Sequence, residues 1–256
     1  MPKIRYHKGY TNIVKVHNNL VEAHYKFSRE QQVILVQVAK TLQEQDIFDK
    51  YEHSTISYKI SDLLQMLNIE DRRTLRGVVR SLQRCIMSYK NIDEHWEMDV
   101  NIFISGKYHS TGTVDIEIHK DMLQFFKHLS KELGHYTELN IKEMTQFKSQ
   151  YTIRLYQLAR KLQNITITKK SKSWKQEKIY TLEEFQKMVG SNYKTWQDLE
   201  RRVLAPAMEE LKDNSFIYVD YEPIREYKKG QTRGRAGVTK IKLKMNRVNH
   251  YQGKLL

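Results

Sequence analysis

An α+β fold built from two copies of one unit is what this sequence predicts, and three observations carry that prediction. The first is an internal duplication. Residues Phe27 to Leu42 align without gaps on Phe147 to Leu162, with Phe, Leu, Gln, Ala and Leu recurring at matching places. Tyr58 to Leu67 likewise matches Tyr180 to Val189, and Val78, Val79, Leu82 and Ile86 correspond to Val203, Leu204, Ala207 and Leu211. A repeated unit of roughly 100 residues is the economical explanation. The second observation is the order of patterns in each copy: helix, short strand, helix, helix, β-hairpin. The third is that the second copy ends in a basic helix, Ser191 to Asp213, followed by two strands joined by the cationic stretch Lys228 to Arg235. Helix, turn, helix and appended hairpin make a winged helix, so the chain reads as two tandem winged-helix domains related by internal duplication.

Composition sets the class. With 256 residues, 39% hydrophobic and 29% charged, the chain has material for a core and a water-facing surface. No apolar run approaches the roughly 18 residues of a membrane span, and MPKIRYHKGY has no apolar core of a secretory signal, so a cytoplasmic location is expected. One cysteine, Cys85, excludes an intramolecular disulfide and a cysteine-built zinc site, and its place on the inner face of a helix predicts a buried thiol. The formal net charge is +14, and it is unevenly spread. Residues 138 to 256 hold 25 Lys and Arg against 13 Asp and Glu, whereas residues 1 to 137 hold 19 against 17. A basic second half with a normal helical core face and no lipid-inserting aromatic face points to nucleic acid rather than membrane.

The elements follow in order. Residues 1–25 form an N-terminal arm in which Ile13 to Val16 has the pattern of a short strand. Ser28 to Gln31 is a capping-box pattern, and Ile34, Leu35, Val38 and Leu42 recur at helical spacing, so a helix runs to about Gln45. Thr55 to Lys59 is a β-branched strand, and Ser61-Asp62 opens a short helix carrying Leu63, Leu64, Met66 and Leu67. The third helix, Asp71 to Cys85, puts Leu75, Val78, Val79, Leu82 and Ile86 on one side. Opposite them lie Arg72, Arg76, Arg80 and Arg84, with Arg73 beside them. A charge stripe is usually a solvated face; five arginines with only Asp71 nearby favour phosphate contact. Trp96 to Ile104 and Val114 to Ile118 alternate as an antiparallel hairpin turning around Ser105 to Gly112. Lys120 to Leu133 reads as a helical connector stopped by Gly134. The division is thus an arm at 1–25, a first winged helix at 26–119 for dimerisation and auxiliary DNA contact, and a connector at 120–137. The second, main DNA-binding winged helix spans 138–247, and a tail follows at 248–256.

In the second unit, Thr181 and Glu184 form another capping box. The long helix directs Tyr193, Lys194, Gln197, Arg201 and Arg202 outward and Leu199, Val203, Leu204, Met208 and Leu211 inward. Pro206 lacks the N–H a helix interior needs, so the helix should kink or split there, leaving its first half as the reader. Arginine can give guanine O6 and N7 two parallel hydrogen bonds, which sets Arg201 or Arg202 at about 1 to 3 kcal/mol of base discrimination. Pairing with Asp198 or Glu200 is the competing role, and one base reader with one phosphate or structural partner is expected. The loop cations Lys228, Lys229, Arg233 and Arg235 are suited to backbone contact, whereas the run Lys169 to Lys175 reads as a solvated loop in preference to a defined phosphate clamp. Phe216 to Ile224 and Lys240 to Met245 are the two strands, with Lys240, Lys242 and Lys244 on one face.

These residues also carry a family resemblance. Lys148 to Tyr156 resembles the signature helix of the iteron-binding plasmid replication initiators, the initiator Rep family. Asp198 to Ala207 is similar to that family's recognition-helix motif, Val219 to Ile224 to the strand after it, and Asn19 to Ala23 with the Gln31 helix to its opening. The similarity spans about residues 12 to 246, departing at Ala205, where an acidic residue is frequent before the proline. The resemblance implies a bacterial, plasmid-encoded protein that binds direct repeats at an origin. It implies main groove contacts at Arg201 and Arg202, with Tyr193 and Lys194 nearby. It further implies origin opening, recruitment of host replication proteins such as helicase and initiator, and a homodimer in equilibrium with monomer that represses its own promoter.

Other classes fare less well. A rolling-circle nickase needs a His-x-His pair, which none of the ten histidines forms, and a helicase needs a Gly-Lys-Ser/Thr phosphate loop, which is absent from the sequence. No nucleophile, acid and base stand out, so no enzyme and no cofactor or metal are expected. His119, His128 and His135 read as surface or core residues. A winged-helix transcriptional repressor without initiator activity is the remaining alternative.

Overall fold

Each unit starts with a strand and a short helix ahead of its first long helix, a feature that extends the duplication at its leading end. The computed structural model describes residues 12–45, 54–91, 95–123, 125–126, 136–168, 176–215, 217–227 and 236–246. The first unit comprises β1 (Ile13–His17), α1 (Asn18–Glu22), α2 (Arg29–Gln45), β2 (Ser54–Lys59), α3 (Ile60–Leu67) and α4 (Arg72–Leu82). It closes with β3 (Ile86–Asn91), β4 (Trp96–Asn101), β5 (Phe103–Tyr108), β6 (Thr113–Ile118) and α5 (Lys120–Leu123). The second comprises β7 (Tyr136–Asn140), α6 (Ile141–Gln146), α7 (Gln150–Thr168), β8 (Gln176–Thr181) and α8 (Leu182–Val189). A single helical run follows as α9 (Trp196–Leu199), a π-helical turn (Glu200–Leu204) and α10 (Ala205–Asn214), and then β9 (Tyr218–Glu226) and β10 (Gly237–Asn246).

The two units share one topology. The first unit's sheet has the order β2-β6-β5 and the second's β8-β10-β9, so in both the strand after the first long helix pairs with the last strand of the wing. The leading strands pair with each other: β1 runs antiparallel to β7, from Ile13 opposite Asn140 to His17 opposite Tyr136. Alternation buries Val14 and Val16 on one side of β1 and Thr137 and Leu139 on β7, which places that ribbon on the core.

Local chemistry explains the helix starts. The Gln31 backbone N–H donates to Ser28 Oγ at 3.3 Å and the Ser28 N–H donates to Gln31 Oε1 at 2.7 Å, so the capping-box pattern closes as read. Thr181 and Glu184 form the second box. The N-terminus of α7 has its amides satisfied from a distance, since the Glu210 carboxylate accepts from the backbone N–H of Lys148 and Ser149 and from the Thr152 hydroxyl. Two glycines are required by geometry. A Cβ on Gly106 of β5 would lie 2.7 Å from Val79 Cγ1, so glycine lets α4 approach the sheet. Gly190 ends α8 at φ 73°, and a Cβ there would stand 3.2 Å from the Tyr25 carbonyl oxygen. Gly190→Ala is therefore expected to cost at least about 1 to 2 kcal/mol in urea unfolding.

The units are fastened by two arginines, Arg29 partly buried and Arg154 fully so, as well as by core packing. Arg29, at the start of α2, donates to the carbonyls of Leu67 (2.8 Å), Thr145 (2.6 Å) and Phe147 (2.5 Å), closing the ends of α3 and α6. Gln32 Nε2 donates to the Gln150 carbonyl at 3.1 Å. Arg154 in α7, 1% exposed, reaches Val21, Ala23, Tyr25 and Met188.

Several expectations are corrected. The third helix stops at Leu82, and Ile86 opens β3 with its side chain 54% exposed instead of packing on the helix's inner face. Cys85 lies in the turn between them, half-buried, with Sγ donating to the Ser81 carbonyl at 3.3 Å. Trp96 to Ile104 is not one strand. Residues 96–101 pair with β3, and the chain bends at Ile102 before residues 103–108 pair with β6. Of the connector helix only Lys120–Leu123 lies in a helix among the described residues; 124 and 127–135, with Leu129, Leu133 and Gly134, fall outside them. The wing strands run Tyr218–Glu226 and Gly237–Asn246, shifted a little from the expected limits.

Candidate nucleic-acid interface

The second unit's basic helix begins later than its sequence suggests. Gly190 closes α8, residues 191–195 form a turn, and Thr195 caps a helix that starts at Trp196 rather than Ser191. Thr195 prevails as the cap because its Oγ1 accepts from the Asp198 N–H at 3.1 Å while its hydroxyl donates to Asp198 Oδ2 at 2.8 Å. Tyr193 and Lys194 thus stand in the turn ahead of the helix, half-buried and exposed respectively. Trp196 faces inward against Tyr221, their ring centroids 6.1 Å apart, and so anchors the first turn to the wing strand β9.

Pro206 has the expected consequence in an unexpected form. Its ring conflicts with the carbonyl four residues back and it offers no N–H. The chain answers with one π-helical turn over Glu200–Leu204, where the Ala205 N–H bonds to the Glu200 carbonyl, and α10 continues without a break. Leu199, Val203, Leu204, Ala207 and Leu211 are buried; Gln197, Arg201 and Arg202 are exposed on the other side. The π turn sits at the two arginines, presenting both to solvent at 72% and 57% side-chain exposure.

Those arginines share one anion. Asp198 Oδ1 lies 3.2 Å from Arg201 Nη2 and 3.6 Å from Arg202 Nε. The Thr195 hydroxyl, followed by the charges of Arg202 and Arg201, holds the Asp198 carboxyl below the usual aspartate range. The Arg202 guanidinium also lies 6.0 Å from the Tyr193 ring centroid. Glu200 takes a different partner, accepting from the Tyr221 hydroxyl at 3.1 Å. Burial first, and this acceptor second, push the Tyr221 phenol up to about 12.

The lysines of β10 share a face, but it is a neutralised one. Lys240 pairs with Glu226 (2.7 Å), Lys242 with Glu177 (3.6 Å) and Glu222 (3.8 Å), and Lys244 with Glu222 (2.5 Å). A cross-strand ladder of this kind stabilises the sheet locally and leaves little net field for phosphate. The wing-tip cations Lys228, Lys229, Arg233 and Arg235, and the run Lys169 to Lys175, lie outside the described residues.

In the first unit α4 occupies the corresponding place. Asp71 caps it, accepting from the Thr74 N–H at 2.8 Å, and Leu75, Val79 and Leu82 are buried. Arg72, Arg73, Arg76 and Arg80 are exposed; the Arg76 guanidinium lies 5.4 Å from the Tyr108 ring on β5. Arg84 follows in the turn beyond the helix. Among the described residues none of Arg72, Arg73, Arg76 and Arg80 has a carboxylate at ion-pair distance, in contrast to Arg201 and Arg202. Sequence reasoning did not foresee the π turn or the sharing of Asp198 by both arginines. The i+3 and i+4 spacing from Asp198 to Arg201 and Arg202 was the available signal for the second.

Among the described residues no group of three His, Cys, Asp or Glu could hold a metal, and no helix is long and apolar enough to cross a membrane. Two recurring units, each placing a basic helix beside a β-hairpin, define a protein of the tandem winged-helix class. Residues 13–160 match the first winged-helix domain of the initiator replication protein family, and residues 181–245 match the second winged-helix domain of initiator Rep proteins. The chain belongs to the initiator Rep family.

Among solved structures it is similar to the Pi initiator protein, crystallised in complex with iteron DNA, at 18% identity and a TM-score of 0.63. That match covers 94% of this chain and 100% of the other. A weaker likeness is to domains 2 and 3 of RctB, at 9% identity and a TM-score of 0.46, covering 86% of this chain and 83% of that one. No curated protein matches the chain.

Proposed function

We propose that this chain is a plasmid replication initiator that binds direct repeats at its origin as double-stranded DNA. The second winged helix enters the major groove with Gln197, Arg201 and Arg202, and Tyr193 and Lys194 flank the entry. The observation that carries the reading is the side-by-side exposure of Arg201 and Arg202 on the first half of a helix anchored to its wing, in a chain of the initiator Rep family. Family membership and the fold shared with the iteron-bound Pi initiator protein support it. The wing-tip residues Lys228, Lys229, Arg233 and Arg235 reach along the backbone. Origin opening, recruitment of host helicase and initiator, and repression of its own promoter by a dimer complete the proposal. In that dimer the first unit's hairpin supplies the strand edge, β5 being an outer strand of its sheet. The second unit, expected at 138–247 and extended forward to Tyr136 by β7, is the main binding domain, acting in the bacterial cytosol.

The test is equilibrium binding to a duplex carrying the direct repeats beside its own gene, with scrambled duplex as competitor, across a salt series. Strong preference with a steep salt slope supports the reading; equal binding to both duplexes overturns it.

The first unit supplies phosphate contacts through α4. Arg72, Arg76 and Arg80 replaced together by alanine are expected to weaken repeat and scrambled duplex alike, lowering the salt slope by about 2 to 3 with the specificity ratio kept. A lost ratio at unchanged slope would make α4 a base reader instead.

A further inference from the structure

On the sequence-specific reading above, one group at the interface works against affinity. A carboxylate on the exposed side of a helix that meets DNA faces a polyanion. Yet Asp198 sits there, bridging Arg201 Nη2 at 3.2 Å and Arg202 Nε at 3.6 Å. The helix start has a neutral acceptor of its own, because Thr195 Oγ1 accepts from the Asp198 backbone N–H. The Thr195 hydroxyl, donating to Oδ2 at 2.8 Å, instead fixes where the carboxylate points, leaving Oδ1 for the two guanidinium groups. On the equivalent helix of the first unit no carboxylate lies at ion-pair distance from Arg72, Arg73, Arg76 or Arg80 among the described residues, and the cap residue Asp71 acts on the Arg73 side chain only through its charge.

We propose that Asp198 is a specificity-determining positioning residue: it holds Arg201 and Arg202 together on the helix face and withholds them from phosphate. They leave it only where a guanine edge offers acceptors of matching geometry. Discrimination then comes from penalising the wrong partner as well as rewarding the right one. The exposure of all three side chains suits this role, since a solvent-screened ion pair is weak enough to exchange for a base edge. A phosphate has to compete with Asp198 for the same donors while meeting its negative charge. A guanine presents neutral O6 and N7 acceptors and escapes that repulsion.

The test uses the full chain with Asp198→Asn, which keeps size and an acceptor for Thr195, and Asp198→Glu, which keeps the charge. Binding to repeat and scrambled duplexes is measured across a salt series, with thermal melting to confirm folding. Asp198→Asn is expected to bind scrambled DNA about threefold to tenfold more tightly, with a log–log salt slope steeper by about one. The repeat-to-scrambled ratio should fall about tenfold. Asp198→Glu should keep the wild-type slope on scrambled DNA. A purely structural Asp198 would weaken both duplexes equally when changed to Asn, and that result, or an unchanged slope, overturns the proposal. Lack of preference in the wild-type chain overturns the origin-binding reading instead, and the slope on scrambled DNA still decides the role of Asp198.

Discussion

Alanine at both Arg201 and Arg202 is expected to bring the preference for the direct repeat over scrambled duplex close to unity while leaving measurable nonspecific binding. Each bidentate arginine–guanine contact contributes about 1 to 3 kcal/mol of discrimination. Loss of the pair therefore removes most of what one recognition helix can supply. Residual affinity is expected from α4, whose four exposed arginines have no carboxylate at ion-pair distance among the described residues, and from the wing cations. Stability should hardly change, because both side chains are largely exposed and their bridge to Asp198 is solvent-screened. The single variants separate the roles. The base reader should lose ratio at nearly constant salt slope, whereas a phosphate binder should lose slope at constant ratio. Arg202, 57% exposed with its guanidinium 6.0 Å from the Tyr193 ring, is the more enclosed of the two, while Arg201 makes the hydrogen bond to Asp198. Arg201, at 72% exposure, is expected to be the base reader. Unchanged specificity of the double variant in a competition assay would remove this helix from the readout.

What the sequence made legible was local chemistry and periodicity. Both capping boxes close, the Leu75–Val79–Leu82 face of α4 is buried, and the repeated pattern of residues 27–67 and 147–189 corresponds to two sheets of identical strand order. Failures occurred where a residue satisfies two patterns at once. Ile86 continues the helical spacing from Leu82, but it also begins a strand whose partner lies beyond a turn, and pairing with Asn101 won. Alternation from Trp96 gives the side-chain faces only as far as Ile102; the bend there changes the partner strand and flips the faces, so that Phe103 is buried and Ile104 exposed, a tertiary choice. Ser191 opens a plausible helix by propensity, yet the cap geometry of Thr195 with Asp198 sets the start at Trp196, five residues past it. The joints between units were illegible for a different reason. Arg29 and Arg154 sit on helices like any other cation, and the carbonyls that enclose them come from segments far away in sequence.

The largest stability effect is expected at Arg154. Its guanidinium is buried and its hydrogen-bond partners are all neutral. It donates to the carbonyls of Met188 (2.7 Å), Val21 (3.0 Å) and Ala23 (3.1 Å), to the Tyr25 hydroxyl (2.5 Å) and to Gln157 Oε1 (2.6 Å), and lies 4.2 Å from the Tyr25 ring centroid. Val21 and Ala23 stand at the end of α1 and Met188 near the end of α8. The unpaired carbonyls of two helix C-termini therefore converge on one cation, where the local dipoles favour positive charge. Arg154→Met keeps comparable bulk but strands those carbonyls and the Tyr25 hydroxyl without donors. A loss of roughly 3 to 5 kcal/mol in urea unfolding is expected, as for removing one partner of a buried charged network. Arg154→Lys keeps the charge but cannot serve five acceptors with three donors, so it should fall between the two. Because the bonds join the segment before α2 to α7 and α8, the damage should extend past global stability. If both winged helices engage the full repeat as proposed, binding to it should weaken more than binding to a half-repeat contacted by the second unit alone. A methionine variant within about 1 kcal/mol of wild type would show that the carbonyls find other donors, and that packing, not this cation, joins the two units.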